Sequence, residues 1–203
     1  MNKRKGKAFG LICLLCCLFF AGCTSSPVQE DPGDEWGCPT DGSACAPAAK
    51  DSETQDIPEE FKEISFDDAV AFFEDGKTGL IYFGFPNCPW CKDVVPVLDQ
   101  EAKEADQEVL YVRTRDDNKE RLYTDEQKEE IIPYLEEYMS ENDEGELTLY
   151  VPLVVYVENG KAKEGHVGTV EGHDAHEREM TEKEQQELQE TLHEIVSSAA
   201  AGS

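Results

Sequence analysis

Cys88 and Cys91 are the residues whose type and spacing most directly indicate chemistry. They enclose Pro89 and Trp90 in a Cys-Pro-Trp-Cys motif, which follows an uninterrupted apolar run at residues 80–83. Such a run predicts a strand covered on both faces, and the amphipathic segment after it predicts a helix. Because proline suits the first helical position, we expect Cys88 at or beside the N-cap of that helix.

A helix N-terminus would make Cys88 the reactive thiol of the pair. Unpaired backbone N–H groups and the positive end of the helix dipole favour a thiolate there. Such sites lower a cysteine pKa from about 8.5 to roughly 3.5–7.5. Cys91 lies nearly one turn further along the same face, turned towards the core. We therefore expect Cys88 to exchange with a substrate disulfide and Cys91 to resolve the mixed disulfide.

Two other interpretations of the cysteine pair remain open. Cysteines at this spacing can supply half of a zinc site, which needs two further ligands. The available histidines, His166, His173 and His176, lie at or beyond the end of the last predicted strand and are expected to be remote from Cys88. A purely structural disulfide would close too small a loop to stabilise the fold much.

His173 and His176 form a His-x-x-His pair in an acidic loop, an arrangement that can bind a divalent metal ion. In surface loops such pairs are usually incidental. We therefore predict no metal site and no cofactor.

The elements that must position the motif follow the order βαβαβαββα. Ser65, Thr124 and Thr181 have side chains suited to cap three of the helices. The third helix is expected to reach Met139, although Pro133 must kink or split it. An Asn-Gly pair between the last two strands predicts a hairpin turn. The predicted strands are residues 61–64, 80–83, 109–112, 153–157 and 162–167.

Residues 79–92 resemble the active-site strand and helix of the thioredoxin family. Pro96 follows Cys91 by five residues, like the kinking proline of that family, and Val151-Pro152 before an apolar strand resembles its cis-proline loop. The element order agrees over residues 57–197. The resemblance implies an α/β thioredoxin-like fold, with a central mixed sheet flanked by helices.

The resemblance extends to the extracytoplasmic thioredoxin-like lipoproteins of Firmicutes, including bacteriocin transport accessory proteins. Their Gly-Phe-Pro-x-Cys-Pro-Trp-Cys and Gly-Thr-Val stretches are similar to residues 84–91 and 168–170. It implies that Cys88 is the nucleophile and Cys91 the resolving thiol. Pro152 would face the disulfide and hold the Val151 backbone ready to pair with an extended substrate strand. An apolar rim would come from Trp90, Phe85 and Pro86.

This hypothesis requires Cys88 and Pro152 to lie on one side of the molecule, with Cys88 open to water. Two departures from the family pattern bear on its chemistry. Tyr82 occupies the position of a buried acid that assists proton transfer to the resolving thiol in thioredoxins, and Asn87 replaces a tryptophan. The redox direction is therefore left open among reduction, oxidation and isomerisation.

The amino terminus predicts export. A basic segment at residues 1–7 precedes 15 uncharged residues, too short a run for a bilayer core but typical of a signal peptide at residues 1–22. Residues 20–23, Phe-Ala-Gly-Cys, resemble a lipobox, so lipid is expected on Cys23. The alternative is an ordinary secretory peptide cleaved nearby. Either reading places the protein outside the cytoplasm.

Residues 23–56 are poor in large apolar side chains and are predicted to form a disordered acidic tether. Cys38 and Cys45 within it are expected to pair in an oxidising compartment, and that disulfide could exchange with the domain's own cysteines. The folded domain is predicted at residues 57–197, followed by a disordered tail at residues 198–203.

The charge of the chain limits its partners. It carries 45 Asp and Glu against 18 Lys and Arg, a net charge of −27, which excludes nucleic acid as a partner. We predict a membrane-tethered thiol-disulfide oxidoreductase acting on cysteines of exported proteins or peptides, together with a redox partner. The alternative is a non-catalytic thioredoxin-fold module that assists peptide (bacteriocin) export or assembly.

Overall fold

Seven strands appear in the computed structural model, which describes residues 57–58 and 61–202. Five of them form a central mixed sheet and two form a separate short hairpin. Each long predicted strand is present within two residues of its expected bounds. The strands are β1 (Phe61–Ile64), β2 (Gly79–Gly84), β3 (Val109–Arg113), β4 (Ser140–Glu141), β5 (Leu147–Thr148), β6 (Leu153–Glu158) and β7 (Lys161–Val167).

The central sheet has the strand order β1-β3-β2-β6-β7. Strands β1, β3 and β2 are parallel, whereas β6 runs antiparallel to β2 and β7 antiparallel to β6. Strand β2, which leads into the Cys-Pro-Trp-Cys motif, is therefore the middle strand. This order and these directions, with helices packed on the sheet, are those of the thioredoxin-like fold, so the predicted fold class is confirmed.

Four helices and one 3₁₀ turn complete the part of the chain that the structure describes. Reciprocal side-chain to backbone hydrogen bonds close capping boxes at Ser65 with Asp68 and at Thr124 with Gln127. At the last helix, Thr181 N donates to Glu184 Oε2 (2.7 Å), which confirms the predicted cap. The helices are α1 (Phe66–Glu74), α2 (Pro89–Glu104), α3 (Asp125–Leu135) and α4 (Glu182–Gly202), and the 3₁₀ turn is Glu136–Tyr138.

The side chains of β2 point alternately to the two faces of the sheet and so contribute to two separate hydrophobic cores. Leu80 and Tyr82 pack with residues of α2 and α4, whereas Ile81 and Phe83 pack with residues of α1 and α3. Successive strand side chains point to opposite faces, which accounts for the division. Tyr82 consequently lies in the same layer as the motif-bearing helix α2.

The third helix is shorter than predicted, and a hairpin follows it that was not predicted. Pro133 removes one helical hydrogen bond, and α3 ends two residues later at Leu135 instead of reaching Met139. Strands β4 and β5 have two residues each and lack a buried alternating pattern, so no strand signal marks them in the sequence.

The prediction of a disordered tail is wrong for residues 198–202, which continue α4 as far as Gly202. Alanine is the best helix former, and Ala199 is completely buried in the same core as Leu192 and Val196. Gly202 lies against the Tyr156 hydroxyl, where any side chain would clash. Burial of Ala199 attaches this last turn to the core.

In the part of the chain that the structure describes, no helix is both long and apolar enough to cross a bilayer. The predicted signal peptide, the lipid site at Cys23, and the tether with Cys38 and Cys45 lie outside the described residues. They stay predictions.

Candidate active site

Cys88 is the N-cap residue of α2, with extended backbone angles (φ −87°, ψ 120°) and Pro89 as the first helical residue. Its backbone N–H donates to the Phe85 carbonyl (3.2 Å), which closes the turn between β2 and α2. Its Sγ atom accepts a hydrogen bond from the backbone N–H of Cys91 (3.3 Å). The expected N-cap position is confirmed.

The surroundings of Cys88 favour its thiolate. The largest effect on its pKa is a hydrogen bond from the Cys91 thiol, which lowers it, whereas burial raises it. Backbone N–H groups of Cys91 and Trp90 and the positive charge of Lys119 lower it further. The net result is a pKa below the ordinary thiol value, as a helix N-terminus predicts.

Cys91 is the opposite case. It has no exposed surface, and burial is the main cause that raises its pKa. The hydrogen bond that it gives to Cys88, and the charge of Cys88, raise that pKa further. Both cysteines are free thiols in this structure. The pair is therefore asymmetric, with an ionisable outer sulfur and a protonated inner one.

The hypothesis requires Cys88 to be open to water, and the structure does not meet this requirement, because only 3 % of the Cys88 surface is exposed. The half-buried side chains of Phe85, Trp90 and Val151 pack against the cluster that contains it. Access to Cys88 Sγ is therefore closed in this structure. A substrate would have to displace part of this cover to reach the sulfur.

Val151 and Pro152 lie on the same side of the molecule as Cys88, as the hypothesis requires. The Val151 carbonyl oxygen is 3.9 Å from Cys88 Sγ, and the Val151–Pro152 peptide bond is cis. The Pro152 carbonyl accepts from the backbone N–H of Gly168 (2.8 Å), which ties this loop to the end of β7. Pro152 itself is buried.

The other predicted rim residues differ in their exposure. Phe85 and Trp90 are half-buried and retain surface at the site, as expected for a rim. Pro86 is buried within the turn that precedes Cys88, so it supports the turn and offers little surface to a substrate.

The loop after β7 packs on the active-site helix, so the expectation that its histidines are remote from the motif is wrong. His173 Nε2 donates to Asp93 Oδ2 (2.8 Å), two residues beyond Cys91. The His176 ring meets the Trp90 ring edge to face, with centroids 4.7 Å apart. Within residues 57–58 and 61–202, His, Cys and acidic side chains form no group of three or more that could hold a metal ion.

Residues 113–121 also border the motif. This segment clusters four basic residues, together with three acidic ones, in an otherwise strongly acidic chain. The Asn87 amide donates to the Asp117 carbonyl (3.3 Å), and the Arg115 guanidinium lies 6.0 Å from the Phe85 ring centroid. Sequence reasoning missed this segment, although the clustering itself was a visible signal.

Comparisons with known proteins find similar folds only. No family model matches the chain, and no curated protein matches it. An oxidised thioredoxin from Plasmodium falciparum is 10 % identical over 69 % of this chain and 98 % of its own, with a TM-score of 0.36.

Two further solved structures give similar figures. Thioredoxin from Fasciola hepatica is 17 % identical over 66 % of this chain and 99 % of its own (TM-score 0.36). Reduced desulfothioredoxin from Desulfovibrio vulgaris Hildenborough is 23 % identical over 68 % and 95 % (TM-score 0.32). At these values we base the fold assignment on strand order and direction.

Proposed function

We propose that this protein is a thiol-disulfide oxidoreductase that acts on cysteines of exported proteins or peptides from the extracytoplasmic face of a bacterial membrane. One observation carries the proposal. Cys88 Sγ sits at the N-cap of α2, accepts the backbone N–H of Cys91, and has a lowered pKa beside a buried thiol. A nucleophile and a resolving group are thereby placed one helical turn apart.

The reaction proceeds in two exchanges. The Cys88 thiolate attacks one sulfur of a substrate disulfide, forms a mixed disulfide and releases the other substrate sulfur as a thiolate. Cys91 then loses its proton and attacks Cys88 Sγ, which forms the Cys88–Cys91 disulfide and releases the second substrate thiolate. Both released thiolates take up protons. The substrate gains two electrons and the domain loses two, and the reverse sequence oxidises a dithiol.

The substrate segment is expected to align along the loop that covers Cys88. The Val151 backbone carbonyl is already within 3.9 Å of Cys88 Sγ, so an extended chain pairing with Val151 would bring its cysteine to that sulfur. The half-buried side chains of Trp90 and Phe85 supply apolar surface at the site. Their displacement would uncover the sulfur when the substrate enters.

Replacing the two cysteines separately tests the proposal. In the full chain with its six other cysteines changed to serine, Cys88→Ser should abolish reduction of a disulfide-bonded peptide. Cys91→Ser should still attack but accumulate a mixed disulfide at Cys88, visible by mass spectrometry. Turnover that survives Cys88→Ser would refute the assignment.

A peptide-binding module without catalysis is the second candidate, and the cover over Cys88 is the observation that favours it. In that case the acidic surface would select basic peptides and the dithiol would be idle. Binding of such a peptide should then survive Cys88→Ser unchanged, with no mixed disulfide formed by Cys91→Ser.

The proposed location is supported by the amino-terminal sequence. It is also supported by the resemblance of residues 84–91 and 168–170 to stretches of thioredoxin-like lipoproteins of Firmicutes. Lipid on Cys23 would anchor residues 23–56 as a tether that carries the domain away from the bilayer. Cys23→Ala should move the protein from the membrane fraction to the soluble fraction of a bacterial host. Retention of the variant in washed membranes would count against lipidation at this residue.

A further inference from the structure

Tyr82 carries a buried hydroxyl group that the reaction described above does not use. Its side chain has no exposed surface. No partner in hydrogen-bond geometry for this oxygen is found among the described residues. A buried hydroxyl without a partner costs free energy, and such groups in a folded protein call for a physical explanation.

The position of the phenol points to the active site. Tyr82 is in the middle strand, on the face that packs against α2, and shares a core with Cys88 and Cys91. Its ring reaches over the end of β2, where a Cβ atom on Gly84 would lie 2.2 Å from the hydroxyl oxygen. Glycine at position 84 therefore leaves the space that the hydroxyl occupies, just before the turn to Cys88.

The hydroxyl and the Cys91 thiol each shift the pKa of the other. The Tyr82 hydroxyl lowers the pKa of Cys91, against the larger effect of burial, which raises it. Burial in turn raises the pKa of Tyr82 well above its usual value, and interaction with Cys91 raises it further. The phenol is therefore protonated at every pH at which the protein works. It can donate a hydrogen bond to Cys91 but cannot act as a base.

We propose that Tyr82 is a catalytic hydrogen-bond donor whose hydroxyl stabilises the Cys91 thiolate during resolution of the mixed disulfide. This inference rests on the proposed oxidoreductase function. Before resolution the Cys91 proton passes to the substrate thiolate released in the first exchange, or to water. Tyr82 keeps its own proton throughout and donates to the sulfur while it is negative. Cys91 then attacks Cys88 Sγ, and the sulfur–sulfur bond to the substrate breaks.

In this proposal the Tyr82 hydroxyl acquires a strong hydrogen-bond acceptor only when Cys91 is ionised. Hydrogen bonds to charged groups are stronger than those between neutral groups, so the phenol favours the thiolate over the thiol. A buried tyrosine would in this way assist the resolving thiol without accepting its proton. A carboxylate at the same position would instead accept the proton.

The reaction of the reduced protein with dithionitrobenzoate tests the proposal. We would use the full chain in detergent, with its six other cysteines changed to serine. Attack by Cys88 releases one coloured thiolate, and resolution by Cys91 releases a second, so one stopped-flow trace separates the two steps. Tyr82→Phe should leave the first phase unchanged and slow the second roughly tenfold or more.

Tyr111→Phe is the matched control. Tyr111 stacks on Tyr82 with ring centroids 5.5 Å apart, and its buried hydroxyl likewise has no partner among the described residues. The charge of Cys91 raises the pKa of Tyr111, but no hydrogen bond between these two side chains contributes to it. This control should leave both phases as in the unmodified chain, and both variants should be at least as stable to urea.

Gly84→Ala provides a second variant, because a methyl group there must push the phenol aside. It should also slow the second phase. A third measurement is alkylation of Cys91 in Cys88→Ala protein, where adding Tyr82→Phe should move the pH midpoint upwards.

The outcomes separate the two proposals. If the unmodified chain releases no coloured thiolate, the oxidoreductase function itself fails. If it releases both and Tyr82→Phe resolves at the same rate, the role of Tyr82 is refuted while the function stands. Equal slowing by Tyr111→Phe would also refute it, because the effect would then come from repacking of the tyrosine pair.

Discussion

The proposed chemistry depends on two sulfur atoms in different surroundings one helical turn apart. Cys88 Sγ accepts hydrogen bonds from the thiol and the backbone N–H of Cys91, and this outweighs the cost of its burial. Cys91 has no exposed surface and gives its proton up less readily. In the proposed reaction this difference decides which sulfur attacks first, because the thiolate is the nucleophilic form.

Cys91→Ala should raise the pKa of Cys88, because it removes the hydrogen bond that lowers this pKa most. Because the pKa of Cys88 is lowered, its alkylation rate should rise with pH through a midpoint below the usual thiol pKa of about 8.5. In the alanine variant the midpoint should move to higher pH, and alkylation at neutral pH should slow. The measurement is the rate of reaction with iodoacetamide across a pH series.

Cys91→Ser is the control for this experiment, because its hydroxyl can still donate to Cys88. Its midpoint should stay lower than that of Cys91→Ala. Coinciding midpoints for the two variants would show that backbone N–H groups alone set the pKa of Cys88.

Four parts of the fold assemble the candidate active site: the middle strand β2, the helix α2 that follows it, and two loops. Strand β2 delivers the turn, α2 supplies the N-cap, the loop before β6 brings Val151 over Cys88, and the loop after β7 places His176 on Trp90. Helix α4 packs behind α2 and β6 and closes the same core. The last turn of α4 is part of this support.

Ala199→Glu should destabilise the protein by about 3 kcal/mol or more, because it would bury an unpaired charge in that core. Ala199 is fully buried, whereas the neighbouring Ala200 is exposed on the same turn of α4. Ala200→Glu should change the free energy of unfolding by no more than about 0.5 kcal/mol. Urea unfolding of both full chains measures the difference, and similar losses in the two variants would mean that the last turn does not support the core.

The whole molecule is strongly acidic, although two basic side chains lie at the border of the site. A net charge of −27 repels anionic partners at long range. Close to the motif, Arg115 lies over Phe85, and Lys119 is near enough to lower the pKa of Cys88. Long-range and local electrostatics therefore act in opposite directions on a charged substrate.

Long-range repulsion should dominate the encounter rate. A disulfide peptide flanked by lysines should react roughly tenfold faster than its glutamate counterpart at low salt. The difference should shrink as salt shortens the screening length from about 30 Å at 0.01 M to about 10 Å at 0.1 M. Stopped-flow exchange with both peptides gives the rates. A faster glutamate peptide would show that Arg115 and Lys119 control recognition instead.

Structural features that depend on residues close together in the chain could be predicted from the sequence. A buried strand, Pro89 after Cys88, the Ser65 cap and the Thr181 cap each depend on interactions within a few positions, so their residues are close together in the sequence. The order of these elements, together with the family resemblance, was enough to predict the fold class. The same local signals put the reactive sulfur at the start of α2.

The environment of that sulfur depends on contacts between distant segments. Val151 covers Cys88 from 63 residues away, and His173 reaches Asp93 across 80. The extension of α4 to Gly202 likewise depends on burial of Ala199. Such contacts follow from how helices and loops pack on the sheet, which no short stretch of sequence specifies. Position in the chain identified Cys88 as the candidate nucleophile, and packing set its exposure, its neighbours and its pKa.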